Sequence, residues 1–361
     1  MSQEDQIDRR EAVARIAGGA MLALAGGTQT LLAEEAVPRT GLGMVSYNCG
    51  LRRRSMQDED PDFDLFEPLT FLRHCRSLGA GGMQASLGVL APERIRTLRD
   101  YADRHSLFIE AIVRPPHDDA DLSRFEAEIR TAADVGALAV RTVIIPGRRY
   151  EQFSALEEFR TAAEQGRRML RLAAPIVEKH RVRLAVENHK DQRIDERVTL
   201  LQEFGSEFIG ACVDTGNSIA LLDDPYETVQ ALAPFAFSVH LKDQAVREYE
   251  EGFLLGDIPL GQGCLDLRRM VTTLKQSQPE LRMVLELITR DPLRVPCLAD
   301  HYWATLPTVP GRDLARTLRM VRNLAADHLR QVSSLSREEQ VELEDANIAK
   351  SLKYARERLD L

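Results

Sequence analysis

Cysteine is scarce and badly spaced for pairing. The five residues Cys49, Cys75, Cys212, Cys264 and Cys297 are odd in number, far apart and without a C-x-x-C pair. That pattern excludes a disulfide framework and reads as free, buried thiols. Basic charge is also in deficit, with 47 Lys and Arg against 56 Asp and Glu and a formal net charge of -9. A surface that collects nucleic-acid phosphates needs clustered Lys and Arg, so a small-molecule partner is expected instead. No G-x-G-x-x-G follows the first strand-like run, where only Tyr47-Asn48-Cys49-Gly50 stands. A doubly wound dinucleotide-binding sheet, the second choice for this pattern, is therefore disfavoured.

Residues 1–36 differ in kind from the rest. Arg9-Arg10 precede a stretch rich in Ala, Gly and Leu that runs to Ala33 before Glu34-Glu35. This resembles a twin-arginine export signal cleaved near Ala33 or Ala36, which implies a periplasmic or extracytoplasmic protein. Gly18-Gly19 and Gly26-Gly27 weaken the alternative of a stable amphipathic helix, and the run is too short and glycine-rich for a membrane span. The leader also carries Glu4, Asp5, Asp8 and Glu11, and Ala12-Val13 replace the usual phenylalanine-leucine. Cytoplasmic residence is the alternative.

Beyond residue 40 the chain alternates short apolar runs with longer helical patterns, the mark of repeated βα units and a parallel sheet. Eight runs occur, at 42–47, 82–87, 107–113, 139–145, 183–187, 209–214, 237–241 and 282–287. Helical spacing fills intervals such as 91–105, 125–135, 156–180 and 265–276. Eight such units predict a (β/α)8 barrel, an α/β fold, over residues 37–332. The eighth helix is expected at 313–331. Ser336-Arg337-Glu338-Glu339 then opens a further, highly charged helix with a capping box, so 333–361 read as a helical extension, either a solvated strut packed on the barrel's outer wall or a dimer contact.

Active sites of such barrels lie at the carboxyl ends of the strands, so a polar residue closing an apolar run sits at the mouth. Leu184-Ala185-Val186 ends in Glu187, Gly210-Ala211-Cys212-Val213 in Asp214, Phe237-Ser238-Val239 in His240, and Met283-Val284-Leu285 in Glu286. Three carboxylates brought together repel one another unless a cation sits among them. Three oxygen donors and one imidazole, with no thiolate, suit one divalent ion: Mn²⁺ first, with Mg²⁺, Co²⁺ or Zn²⁺ as alternatives.

Glu187-Asn188-His189, Asp214-Thr215-Gly216-Asn217, His240-Leu241-Lys242-Asp243, Gly261-Gln262-Gly263 and Glu286, in this order, resemble the xylose isomerase-like barrel family of sugar isomerases and epimerases. The resemblance implies that Glu187 and Glu286 both ligate the metal and move protons on opposite faces of the substrate. It further implies a keto-sugar or polyol ketone that is enolised beside a polarised carbonyl. A lyase or dehydratase eliminating a β-oxygen at the same site is the second reading. A DNA phosphodiesterase of the endonuclease-four kind is disfavoured: Asn217 stands where several family members have a histidine, and no Asp-x-His follows His240.

Further site residues follow from position. His189 and Lys242 each lie two residues beyond a ligand, on the same side if the strand continues. His189 is either an acid/base, a substrate partner or a clamp on Glu187. Lys242 either holds an anion or pairs with Asp243 or Asp214. Gln84, Arg114, Asn217, Gln262 and Arg290 are substrate-binding candidates, and 256–263 reads as a loop that closes over the site or simply turns.

Overall fold

The computed structural model describes residues 37–361, and Val37–Leu361 form one compact unit. The expected export leader, residues 1–36, lies outside the described residues. Seven parallel strands come first: β1 (Gly43–Val45), β2 (Gly82–Ala85), β3 (Phe108–Ile112), β4 (Val140–Thr142), β5 (Leu184–Glu187), β6 (Ile209–Asp214) and β7 (Ala236–Leu241). Two antiparallel strands, β8 (Asp243–Tyr249) and β9 (Gly252–Ile258), then precede the last barrel strand, β10 (Val284–Leu285), and β11 (Leu293–Val295) follows. Strand β10 pairs with β7 on one side and β1 on the other, which closes the barrel.

The barrel strands are apolar on both faces because helices cover the outside and side chains fill the inside. Leu184 and Val186 of β5 join the large core between strands and helices, whereas Ala185 belongs to a small interior cluster with Ala139, Cys212 and Phe237. A second interior cluster joins Val45, Ile112 and Val284 with Phe108. Each interior phenylalanine needs a glycine opposite it. A Cβ on Gly82 would stand 2.4 Å from the Phe108 carbonyl oxygen, and one on Gly210 would stand 2.6 Å from the Phe237 ring. With these rings plugging the barrel, polar side chains are left to the layer at its mouth.

Two parts of the outer structure differ from expectation. The helix expected over 313–331 spans Gly311–Asn323 and packs on the β8–β9 hairpin instead of the barrel wall. The terminal helix, Arg337–Arg358, opens with the expected Ser336–Glu339 capping box. It buries Glu344, Asn347, Ile348, Ser351, Leu352 and Ala355, one face at helical spacing. Glu344 accepts the backbone N–H groups of Leu51 and Arg52 at 2.9 and 2.8 Å. At the other end Arg268 donates to the Arg358 carbonyl, and Thr40 donates to that of Leu361 at 2.6 Å. Residues 333–361 thus pack against the barrel between the seventh and first βα units. The helix is less solvated than its charge suggests, because its buried face mixes Glu, Asn and Ser with apolar residues.

All five cysteines are free, and four of them are buried. Among the described residues no helix is long and apolar enough to cross a membrane.

Candidate metal centre

Glu187 ends β5, Asp214 ends β6, His240 lies one residue before the end of β7, and Glu286 follows β10 directly. All four are buried, and one donor atom from each lies within 4.8 Å of the others. His240 Nδ1 stands 3.3 Å from Glu286 Oε2, 3.6 Å from Glu187 Oε2 and 4.0 Å from Asp214 Oδ2. Donors about 2.1 Å from a shared octahedral ion are about 3 to 4 Å apart, so a slight contraction suffices. Among the described residues, Asp214 Oδ2, Glu286 Oε2 and His240 Nδ1 have no hydrogen-bond partner despite burial. Orphaned atoms that converge in this way are what a divalent cation satisfies.

The remaining atoms of the ligands are held by the protein. Asp214 Oδ1 accepts the N–H groups of Gly216 and Asn217, at 2.9 and 2.8 Å, in the turn that follows β6. Asn188 ties β5 to β6 by donating to the Asp214 carbonyl and accepting its N–H. Glu187 has both oxygens engaged: Arg141 Nε donates to Oε2 at 2.6 Å and Asn217 Nδ2 to Oε1 at 3.1 Å. Tyr47 stands behind Arg141, its hydroxyl 3.3 Å from the guanidinium.

Gln84, expected to read a substrate hydroxyl, lies instead beneath the ligands. It is fully buried, and its Oε1 accepts from His240 Nε2 at 2.7 Å. Its Nε2 donates to Glu110 Oε2 at 2.8 Å, where Ser238 Oγ also donates at 2.5 Å. An amide oxygen only accepts, so Nε2 of His240 carries a proton and Nδ1 is the nitrogen turned toward the carboxylates. Gln84 thereby fixes the orientation of the imidazole.

Electrostatics separate the carboxylates. Burial opposes the charge of Glu187, yet Arg141 and His240 overcome it and hold its pKa down at about 2. Burial pushes Asp214 up to about 7, with Lys242 opposing. Glu286 is buried too, but Lys242 and His240 draw it well below the usual carboxylate range. Lys242 Nζ lies 2.9 Å from Asp214 Oδ2 and 2.6 Å from Glu286 Oε2, at ion-pair distance but out of hydrogen-bond alignment. It is Asp214, not Asp243, that Lys242 pairs with.

A cavity of about 300 Å³ opens above the centre, lined by His189, Lys190, Lys242, Glu286 and Arg290 among others. Of the four ligand residues only Glu286 reaches its surface. His189 Nδ1 meets the Gly147 carbonyl at 2.9 Å, so it carries the proton and Nε2 is turned elsewhere. Burial pushes that imidazole down to about 4, and it is neutral at physiological pH. It does not clamp Glu187. Arg290 sits at the rim, 3.3 Å from Asp257. Asn217 is buried, and its Oδ1 accepts from Lys242 at 3.3 Å and from Lys190.

Arg114 and Gln262 are exposed and do not line this cavity. The segment read as a closing loop is fixed. Gly256–Ile258 belong to β9, and Asp243 Oδ2 accepts the N–H groups of Gly261 and Gly263 at 2.9 Å each. Sequence reasoning missed Arg141, Glu110 and Lys190. The first two are charged residues at inward positions within the apolar runs 139–145 and 107–113, and that interruption was the available signal.

A family model described as the xylose isomerase-like TIM barrel matches residues 72–308. One curated relative, 3-oxo-isoapionate decarboxylase of Pectobacterium atrosepticum, is 26% identical over 120 residues. That match covers 33% of this chain and 44% of the relative, so it spans less than half of the relative's length. Among solved structures, D-psicose 3-epimerase with D-tagatose from Clostridium cellulolyticum H10 aligns with a TM-score of 0.54 at 11% identity, covering 82% of this chain and 97% of that one. A xylose isomerase-like TIM barrel protein from Mycobacterium smegmatis in complex with magnesium aligns at 0.51 and 14% identity, covering 80% and 98%. At these identities the two structures show the fold alone. The family model, by contrast, extends over well over half of the sequence and over strands β2 to β11. The chain belongs to the xylose isomerase-like TIM barrel family.

Proposed function

We propose that this protein is a divalent-metal-dependent enzyme that enolises a keto-sugar or polyol ketone, as an isomerase or epimerase. The observation that carries the reading is the convergence of donor atoms from Glu187, Asp214, His240 and Glu286, those of the last three without a hydrogen-bond partner among the described residues, beneath a cavity onto which Glu286 opens. Enzymes of sugar chemistry among its relatives support it. Mn²⁺ is the preferred ion for three carboxylates and one imidazole, and Mg²⁺, Co²⁺ and Zn²⁺ are alternatives. When bound, a divalent ion supplies Lewis-acid polarisation of a carbonyl and its neighbouring hydroxyl.

The protein's own groups perform the rest. Glu286, at the cavity surface, takes the proton from the carbon beside the carbonyl. Lys242, 2.6 Å from Glu286, lies where negative charge develops on the substrate oxygens and stabilises it. His189, on the same cavity, is neutral and oriented by Gly147, and it exchanges a proton with a substrate hydroxyl. In an epimerase Glu187 returns the proton to the opposite face.

A lyase is the second reading, and one observation favours it. Glu187 has both oxygens engaged by Arg141 and Asn217, which leaves one carboxylate facing the cavity. Elimination of a β-oxygen, or loss of CO₂ from a 3-oxo acid as the decarboxylase relative's name describes, needs no second carboxylate base.

Incubation of Mn²⁺-loaded protein with keto-sugars in D₂O separates the readings. An isomerase or epimerase incorporates deuterium beside the carbonyl and yields an isomer, and Glu286→Gln abolishes exchange. An unsaturated or decarboxylated product supports the lyase. Metal-loaded protein that does neither, across ketoses, inososes and 3-oxo sugar acids, contradicts the proposal.

A further inference from the structure

Among the described residues, no carboxylate lies within ion-pair distance of the buried cation Lys190. Its ammonium is 4% exposed as a residue, lines the cavity over the ligands and donates to Asn217 Oδ1, the same amide oxygen that Lys242 approaches at 3.3 Å. One neutral oxygen cannot balance two ammonium groups, and an unpaired buried charge is costly. Other charges around the cavity are matched: Arg290 by Asp257, Arg148 by Glu151. A divalent ion bound beneath the cavity adds further positive charge and gives Lys190 no partner.

Resting on the reading of the site as a metal-dependent keto-sugar enzyme, we infer that the substrate is a sugar acid whose carboxylate is held by Lys190 at the cavity end of the Lys190–Asn217–Lys242 array. A carboxylate on the substrate supplies the negative partner that Lys190 lacks, and a neutral ketose would leave Lys190 unpaired throughout the reaction.

The test is calorimetric and needs no turnover. The full chain loaded with Mn²⁺ is titrated with erythronate, erythritol and erythrose 4-phosphate. Erythronate is expected to bind at least about tenfold tighter than erythritol, the worth of one charge-assisted contact, and tighter than the phosphate. Lys190→Met removes the erythronate advantage and leaves erythritol binding and the Mn²⁺ stoichiometry unchanged. Equal binding of erythronate and erythritol by the wild-type protein overturns the inference, as does tightest binding of the phosphate or an unchanged erythronate affinity in a folded Lys190→Met. Failure to take up Mn²⁺ overturns the metal reading itself, so the two failures are distinguishable.

Discussion

The bond from His240 Nε2 to Gln84 Oε1, 2.7 Å long, decides which imidazole nitrogen faces the carboxylates. Removing its acceptor frees the ring to rotate or to change tautomer. Gln84→Leu is expected to weaken Mn²⁺ binding about 10- to 100-fold, measured by titration calorimetry, with the fold retained by circular dichroism. Unchanged affinity would mean that Gln84 is packing only. At this scale the cluster was legible because Glu187, Asp214, His240 and Glu286 each close an apolar run, a pattern that strand geometry turns into position. Arg141 and Glu110 were not, because they interrupt apolar runs from within and only the closed barrel shows that both point inward. Gln262 and Arg114 misled for a different reason. They follow strands in sequence, but Asp243 pulls the glycine turn around Gln262 to itself, and Arg114 faces solvent.

The elements beyond the eight strands depend on tertiary contacts. Residues 243–258 carry glycines and charges in poor alternation, so the β8–β9 hairpin reads as loop until β11 pairs with it. The terminal helix was visible by its capping box and its packing on the outer wall was one expectation, while the polar residues of its buried face were not foreseen. A chain ending at Gln331 loses the buried Ile348, Leu352 and Ala355 and is expected to lose cooperative thermal unfolding. A truncated chain melting cooperatively at the full-length temperature would contradict this placement. The milder Leu352→Ala is expected to cost about 3 kcal/mol in denaturant titration. The same helix gives a pH dependence. Burial raises the pKa of Glu344 from its ordinary 4.5 to about 7, against the pull of two backbone N–H bonds. The folded protein therefore holds that proton more tightly than the unfolded chain, and the stability owed to this group falls as pH rises from about 4.5 to about 7, then levels. Glu344→Gln should flatten that window by an amount on the order of 2 kcal/mol, allowing for partial exposure. Identical pH profiles of the two proteins would show that the group is not perturbed.

For the whole molecule, the βα period and the absence of a glycine-rich phosphate loop were enough to select a closed barrel, because a parallel sheet of eight such units has few other ways to bury both faces. What the barrel acts on is written in loops and in charge balance, which sequence order does not display. The interior is plugged by phenylalanines and the mouth holds three carboxylates, so metal loading acts on the stability of the entire unit. Mn²⁺ at 100 times its dissociation constant is expected to add about 2.7 kcal/mol, seen as a raised melting temperature. The central claim, one divalent ion held by the four strand-end residues, is tested most directly by titrating Mn²⁺ into chelator-stripped protein and following the free-ion signal by electron paramagnetic resonance. One tightly bound ion per chain is expected, abolished in the Asp214→Asn, Glu286→Gln double variant. Saturable binding that survives in that variant, or no saturable binding in the native sequence, would contradict it.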